Sequence, residues 1–205
     1  MTKQNDSKDG GRAAVRTATT DRRIRKTTAA LKHSLTELMK KKKLKDISVK
    51  ELTELADVNR GTFYLHYKDV FDLMEQSEDE LICLLRDAVA KYSHDNIIYN
   101  ENFIPLFQEI YQICLDNVDL VRILVGENGD IKFLNNLQLL LRDRFLRDWG
   151  SLIRKRKLEH FDAYFAFIVG GCISLLQYWF RDGMQESPIE LAEITGQFLD
   201  RSLPY

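Results

Sequence analysis

An all-α chain with a three-helix front, a long linking fourth helix and a helical C-terminal domain is predicted by three observations. Apolar residues recur three and four apart along most of the sequence. Alternating Val and Ile, the mark of strands, is almost absent. Only three prolines, Pro105, Pro188 and Pro204, interrupt 205 residues, so long stretches carry no helix breaker. With 44% hydrophobic and 30% charged residues, the composition is that of a soluble globular protein large enough to bury a core.

Residues 1 to 20 are rich in Lys, Asp, Ser, Thr and Gly and read as a disordered basic arm. The first helix is expected from Asp21, as N-cap, to about Lys42, with Ile24, Thr28, Leu31, Leu35 and Leu38 on one face. Ser48 with Glu51 three residues on forms a capping box and opens helix two, whose apolar face is Val49, Leu52, Leu55 and Ala56. Asp57 falls at the turn, Val58 fills it, and Asn59 caps helix three, where Phe63 and Tyr67 recur four apart. Asp69 caps a long fourth helix through Val70, Leu73, Leu81, Leu84 and Leu85 to about Tyr92.

A polar break follows at Ser93 to Asn100. Helices are then expected over Phe103 to Asn117 and Asp119 to Val125, with a loop at Gly126 to Gly129. The amphipathic stretch Ile131 to Lys157 ends in Arg154 to Lys157, basic residues that suit the negative end of a helix dipole without any nucleic acid. Phe161 to Met184 and Pro188 to Leu203 complete the chain as a helical pair, Ser187 capping the second with Pro188 in its first turn. The most apolar run, Tyr164 to Phe180, contains Gln177 and is shorter than a typical membrane span, so a helix buried on most sides is expected and no membrane partner.

Charge is divided along the chain. Residues 1 to 50 hold 15 Lys and Arg against 5 Asp and Glu, a formal +10, and residues 51 to 205 hold 15 against 26. A basic segment beside a helical hairpin is the electrostatic footprint of phosphate binding, although Arg22 to Lys26 and Lys40 to Lys43 also fit solvated helix ends. Helix three keeps a thin core stripe and turns Arg60, Thr62, Tyr64 and His66 away from it, as suits a helix entering a groove of DNA. Hydroxyls bond base edges or phosphate oxygens, an imidazole N–H suits phosphate, and an Arg bonds guanine bidentately. Tyr64 also fits a half-buried aromatic, and His66 an ordinary surface imidazole.

At Ala56 to Val70 the chain reads ADVNRGTFYLHYKDV, and Asp21 to about Ile82 resembles the DNA-binding domain of the tetracycline-repressor (TetR) family of bacterial transcription regulators. That family's signature runs approximately A-G-V-S-x-G-T-x-Y-x-H-F-x-x-K. Gly61, Thr62, Tyr64 and His66 match it, with Tyr67 in place of the aromatic Phe. The resemblance implies that Thr62 and Tyr64 contact DNA and His66 a phosphate. The candidate DNA-binding set is Ser48, Lys50, Asn59, Arg60, Gly61, Thr62, Tyr64, His66, Tyr67 and Lys68. Ser48 and Lys50 enter it because free N–H groups at the start of helix two favour a phosphate. Two positions depart from the pattern. Asp57 replaces the turn Gly and tolerates left-handed backbone. Val70 replaces the Lys that opens helix four, so Lys68 is expected to supply that charge.

Domains are therefore expected at 21–82 for DNA binding and 83–205 for effector binding and dimerisation. Phe167 to Ile194 resembles the C-terminal region of a Firmicutes-type branch that includes regulators of dihydroxyacetone kinase operons. Gly170 and Gly171 sit mid-helix, where each costs about 1 kcal/mol relative to Ala, which close approach of another helix would explain. With Phe167, Ser174, Tyr178, Ile194 and Phe198 they form the candidate dimer interface. Pairing across a two-fold axis implies recognition helices about 34–36 Å apart on a palindromic operator of double-stranded DNA. Phe103, Phe107, Tyr111, Phe145, Trp149 and Tyr164 are candidates to line an apolar cavity for a small-molecule effector, and they also fit an ordinary core.

Cys83, Cys114 and Cys172 are odd in number and widely spaced, so neither a disulfide framework nor a zinc site is expected, and free thiols fit a cytoplasmic protein. The first twenty residues carry no apolar run of the kind that directs secretion. His33, His94 and His160 show no ligand spacing, and no metal or cofactor is expected. No phosphate loop, nucleophile elbow or carboxylate pair points to an enzyme. A homodimeric repressor released by a small apolar effector is the leading expectation, with a DNA-bound co-regulator or activator answering to a partner protein as the alternative.

Overall fold

The computed structural model describes residues 9–92, 103–126, 131–139, 141–143 and 160–202. Helices joined by turns and short irregular links make up these residues, and no strand occurs among them. In order they are α1 (Asp9–Met39), a single 3-10 turn (Leu44–Asp46), α2 (Val49–Leu55), α3 (Arg60–Tyr64), α4 (Val70–Lys91), α5 (Ile104–Asp116), α6 (Val118–Val125), α7 (131–139), α8 (Phe161–Arg181) and α9 (Pro188–Ser202). The chain forms two compact units, one up to Ser77 and one from Glu78.

In the first unit, α1 begins twelve residues before the expected Asp21. Residues 9 to 20, expected as a disordered arm, are helical. Their low apolar content argues against burial, not against helix: Arg12, Ala13, Ala14 and Arg16 are strong helix formers and no proline intervenes. Leu31, Leu35 and Leu38 are buried as expected, whereas Ile24 is 40% exposed. Together with Ile47, Leu52, Phe63, Tyr67, Val70, Leu73 and Met74 they make the core of this unit. Asp69 caps α4 as its sequence position suggests, its Oδ1 accepting from Phe71 N and Asp72 N, each at 2.9 Å. Asp72 Oδ2 in turn accepts from Lys68 N at 2.7 Å, which with Gln76 holds its carboxyl below the ordinary aspartate value.

In the second unit, α5 packs along α9. Tyr111 Oη and Thr195 Oγ1 lie 2.7 Å apart in the buried seam between them. Thr195 also donates to Leu191 O at 2.8 Å, so Tyr111 is the donor of the pair. A Cβ on Gly196 would come 3.2 Å from Ile104 Cγ1, so this glycine lets α9 lie close to α5. Trp179 anchors α8: it is 1% exposed, its ring centroid lies 6.5 Å from that of Tyr111, and its Nε1 donates to Glu186 O at 2.9 Å. The chain then reverses through the left-handed pair Gly183 (φ 80°) and Met184 (φ 59°). Ser187 and Glu190 form a reciprocal capping box at the start of α9, Ser187 N donating to Glu190 Oε2 at 2.7 Å.

Two expected helical faces are corrected. Leu84, placed on the buried stripe of α4, is 46% exposed. The run within α8, expected to be buried on most sides, buries only Phe165, Leu176 and Trp179 inside the chain. By length and composition α8 is the described helix long and apolar enough to cross a membrane. Replacing Trp179 with Ala should cost about 3–5 kcal/mol of stability, because it empties the seam and leaves Glu186 O without its donor. The shift in urea midpoint at unchanged m-value measures it.

Candidate functional site

The hairpin α2–turn–α3 is built by local chemistry. Ser48 Oγ accepts from Glu51 N at 3.2 Å and starts α2. The expected reciprocal arm is replaced: the Glu51 carboxylate pairs with Lys42 Nζ instead. Viewed down α2, successive residues turn by about 100°. The buried arc runs from Leu52 through Ala56 and Val49 to Thr53, so Leu55, expected on the core face, falls outside it and is 53% exposed. Thr53 is 2% exposed because its Oγ1 bonds back to Val49 O at 2.8 Å and Lys50 O at 3.0 Å, which satisfies the hydroxyl within the helix. Asp57 adopts φ 52°, the left-handed turn expected of it, and Val58 N donates to Thr53 O at 3.0 Å to close the turn. Asn59 Oδ1 then accepts from Gly61 N at 2.7 Å and caps α3.

Phe63 holds α3 in place. It is fully buried, with Tyr67 at 5.6 Å and Tyr64 edge-on at 5.4 Å between ring centroids. The remaining face of α3 is open: Arg60 and Gly61 are exposed, Thr62 is half-buried, and Tyr64 is 52% exposed. Asn59, Ser48, Lys50 and Lys68 are exposed around it, and His66 is half-buried beside Tyr67. Lys50 lies 3.9 Å from Glu54, an exposed pair one helical turn apart. The motif position of Tyr67 predicts a DNA contact. At 5% exposed, its ring belongs to the core of the unit. Leu65, absent from the candidate DNA-binding set, is 81% exposed. Its place two residues after Phe63, about 200° around the helix, is the sequence signal that it points outward.

In the second unit an apolar cavity of about 170 Å³ lies among α4, α5, α6, α7 and α8. Phe107 and Tyr111 line it; Phe103 instead packs on the Val89–Leu106 cluster, and Tyr164 is not part of the lining. Phe145 and Trp149 lie outside the described residues. Leu81, Leu85, Ile110, Phe133, Phe165 and Ile168 complete much of the wall, and sequence spacing had not singled them out as pocket residues. Cys114 and Cys172 also line it, and burial pushes both thiols up to about 12. Cys172, half-buried, borders the open groove between α8 and α9 as well. Cys83 is exposed.

An apolar face runs along α8 and α9. Phe167 is 69%, Tyr178 49% and Phe198 59% exposed, Gly170, Gly171 and Ser174 are exposed beside them, and Ile194 is half-buried. A Cβ on Gly170 or Gly171 would meet nothing within 4 Å, so packing inside the chain does not require either glycine. An open groove between the helices is lined by Phe167, Gly171, Ser174, Leu175 and Phe198.

The chain thus carries a short, capped helix-turn-helix, followed in sequence by a helical unit with its own cavity. Residues 101–201 match the family model TetR_C_8, the transcriptional regulator C-terminal region. An uncharacterized HTH-type transcriptional regulator of Bacillus subtilis (strain 168), YxbF, is 24% identical over 186 residues, 88% of this chain and 46% of that protein. The chain thus spans about half the length of this curated relative. Among solved structures, the fold is similar to that of the TetR transcriptional regulator from Streptococcus agalactiae 2603V, with a TM-score of 0.51, 21% identity and coverage of 89% and 98% of the two chains. It is also similar to that of the fatty acid degradation regulator FadR from Bacillus halodurans, with a TM-score of 0.54, 13% identity and coverage of 84% and 94%. Residues 101–201 are thus similar to a transcriptional regulator C-terminal region, and the solved structures share the fold.

The left-handed Asp57 gives a direct test of the hairpin. Asp57→Val should destabilise the first unit by about 1–2 kcal/mol, since a β-branched residue cannot relax at positive φ, while Asp57→Gly should be close to neutral. Urea melts of the two variants beside the native chain measure this.

Proposed function

We propose that the chain is a homodimeric, DNA-binding repressor that acts in the cytoplasm and leaves a palindromic operator when a small apolar molecule occupies its second unit. The observation that carries this reading is the division of α3, with Phe63 fully buried on one side and Arg60, Gly61, Tyr64 and Leu65 exposed on the other. A helix held by one buried ring and open elsewhere can lie in a major groove without disturbing its own core. Arg60 opens the helix, where an arginine meets guanine O6 and N7; Thr62 and Tyr64 add hydroxyls for base or phosphate oxygens. His66, Lys68 and Lys50 supply phosphate contacts at the rim. Ser48 Oγ accepts the cap bond from Glu51 N and so holds the start of α2, and its O–H remains a donor for a phosphate oxygen.

Dimerisation through α8 and α9 is supported by the exposed Phe167, Tyr178 and Phe198 around two glycines whose missing side chains serve no packing within the chain. A second copy would bury that apolar face and draw on the close approach the glycines permit. The cavity supports the effector reading. Its wall of aliphatic and aromatic side chains suits an apolar guest, and occupancy would repress or release DNA only by favouring one arrangement of the paired units over another.

Selection from a random DNA duplex pool, run with the native chain and with Tyr64→Ala at two salt concentrations, tests the reading. We expect the native chain to enrich a palindrome, with binding that falls steeply as salt rises, and the variant to enrich none. Equal, weak, unselective binding by both chains would contradict it.

A further inference from the structure

Among the large apolar side chains that the structure leaves exposed, Leu65 is the most open, at 81%. It closes α3 as its C-cap with helical backbone (φ −73°, ψ −20°), so its direction follows from the helix. Counting about 100° per residue from the buried Phe63, Gly61 points about 160° away and Leu65 about 200° away. These two residues, four apart, therefore sit side by side at the centre of the outward face. Tyr64 and Arg60 flank them on one side and Thr62 on the other. A Cβ on Gly61 would meet one atom, the capping Asn59 Oδ1 at 3.1 Å, which would have to give by a few tenths of an ångström. The centre of the face is thus a bare patch of backbone with an isobutyl group next to it, inside a ring of hydrogen-bonding side chains.

We infer that Leu65 is a specificity-determining residue that packs against the C5-methyl group of a thymine on the floor of the major groove. The inference rests on the DNA-binding reading above. A thymine methyl is the apolar group that the major groove offers to a protein, and contact with it distinguishes A·T from G·C without a hydrogen bond. Gly61 permits the approach, because any side chain beside Leu65 would hold the helix off the groove floor. Arg60 and Thr62 then read the neighbouring base edges while Leu65 takes the methyl.

The test is a chemical double-mutant cycle on the duplex selected by the native chain. Each thymine of one half-site is replaced in turn by uracil, which lacks only the methyl, and affinities are measured for the native chain and for Leu65→Ala. At one position the native chain should lose about 4-fold in affinity, the equivalent of one buried CH₂ group, while Leu65→Ala binds the thymine and uracil duplexes equally. Leu65 is exposed, so the variant should melt at the native temperature, which circular dichroism checks. Equal loss in both chains, or no loss at any thymine, overturns the assignment while leaving the DNA-binding reading intact. A native chain that selects no duplex overturns both.

Discussion

One buried ring sets what the first unit can do. Phe63 is the core residue of the five-residue α3, and a helix this short has little stability of its own. Its position depends on that ring, on Tyr67 behind it and on the Asn59 cap ahead of it. Because one residue takes up the burial, the rest of the helix is free for contacts outside the chain. A longer amphipathic helix would bury a wider stripe and leave fewer outward positions. The turn that aims α3 depends on Asp57, whose left-handed backbone joins two helices with only two residues between it and α3.

The legible parts of the fold were those governed by neighbours in sequence. Ser48, Asn59, Asp69 and Ser187 all cap helices where their positions suggested, because a cap bonds amides two or three residues away. Periodicity was less reliable at the edges of a stripe. Leu55, Leu84 and Ile24 share the apolar spacing but lie beyond the buried arc, whose centre is set by what packs against the helix. Residues 9 to 20 are helical despite their polar composition, which speaks to burial and not to backbone conformation. Aromatic content likewise points to Phe107 and Tyr111 for the cavity but not to Phe133, Phe165 or the aliphatic wall, which five separate helices assemble.

The second unit separates two kinds of apolar surface. The seam of α5 and α9 is finished: Tyr111, Thr195 and Trp179 are buried with their polar atoms bonded, and Gly196 closes the fit. The outer face of α8 is unfinished in a single chain, with large aromatic side chains beside glycines that face open space. That contrast within one helix separates apolar surface packed inside the chain from apolar surface left exposed. The cavity lies on the satisfied side, among the helices that α8 joins through Phe165 and Leu176.

The central claim is that the face of α3 opposite Phe63 meets DNA. Cross-saturation NMR, with irradiation of duplex protons and detection on the labelled chain, tests it most directly. Signals of Arg60, Thr62, Tyr64 and Leu65 should be attenuated while those of Phe63, Leu52 and the α8 face are not. Attenuation centred on another surface, with α3 unaffected, would contradict the account.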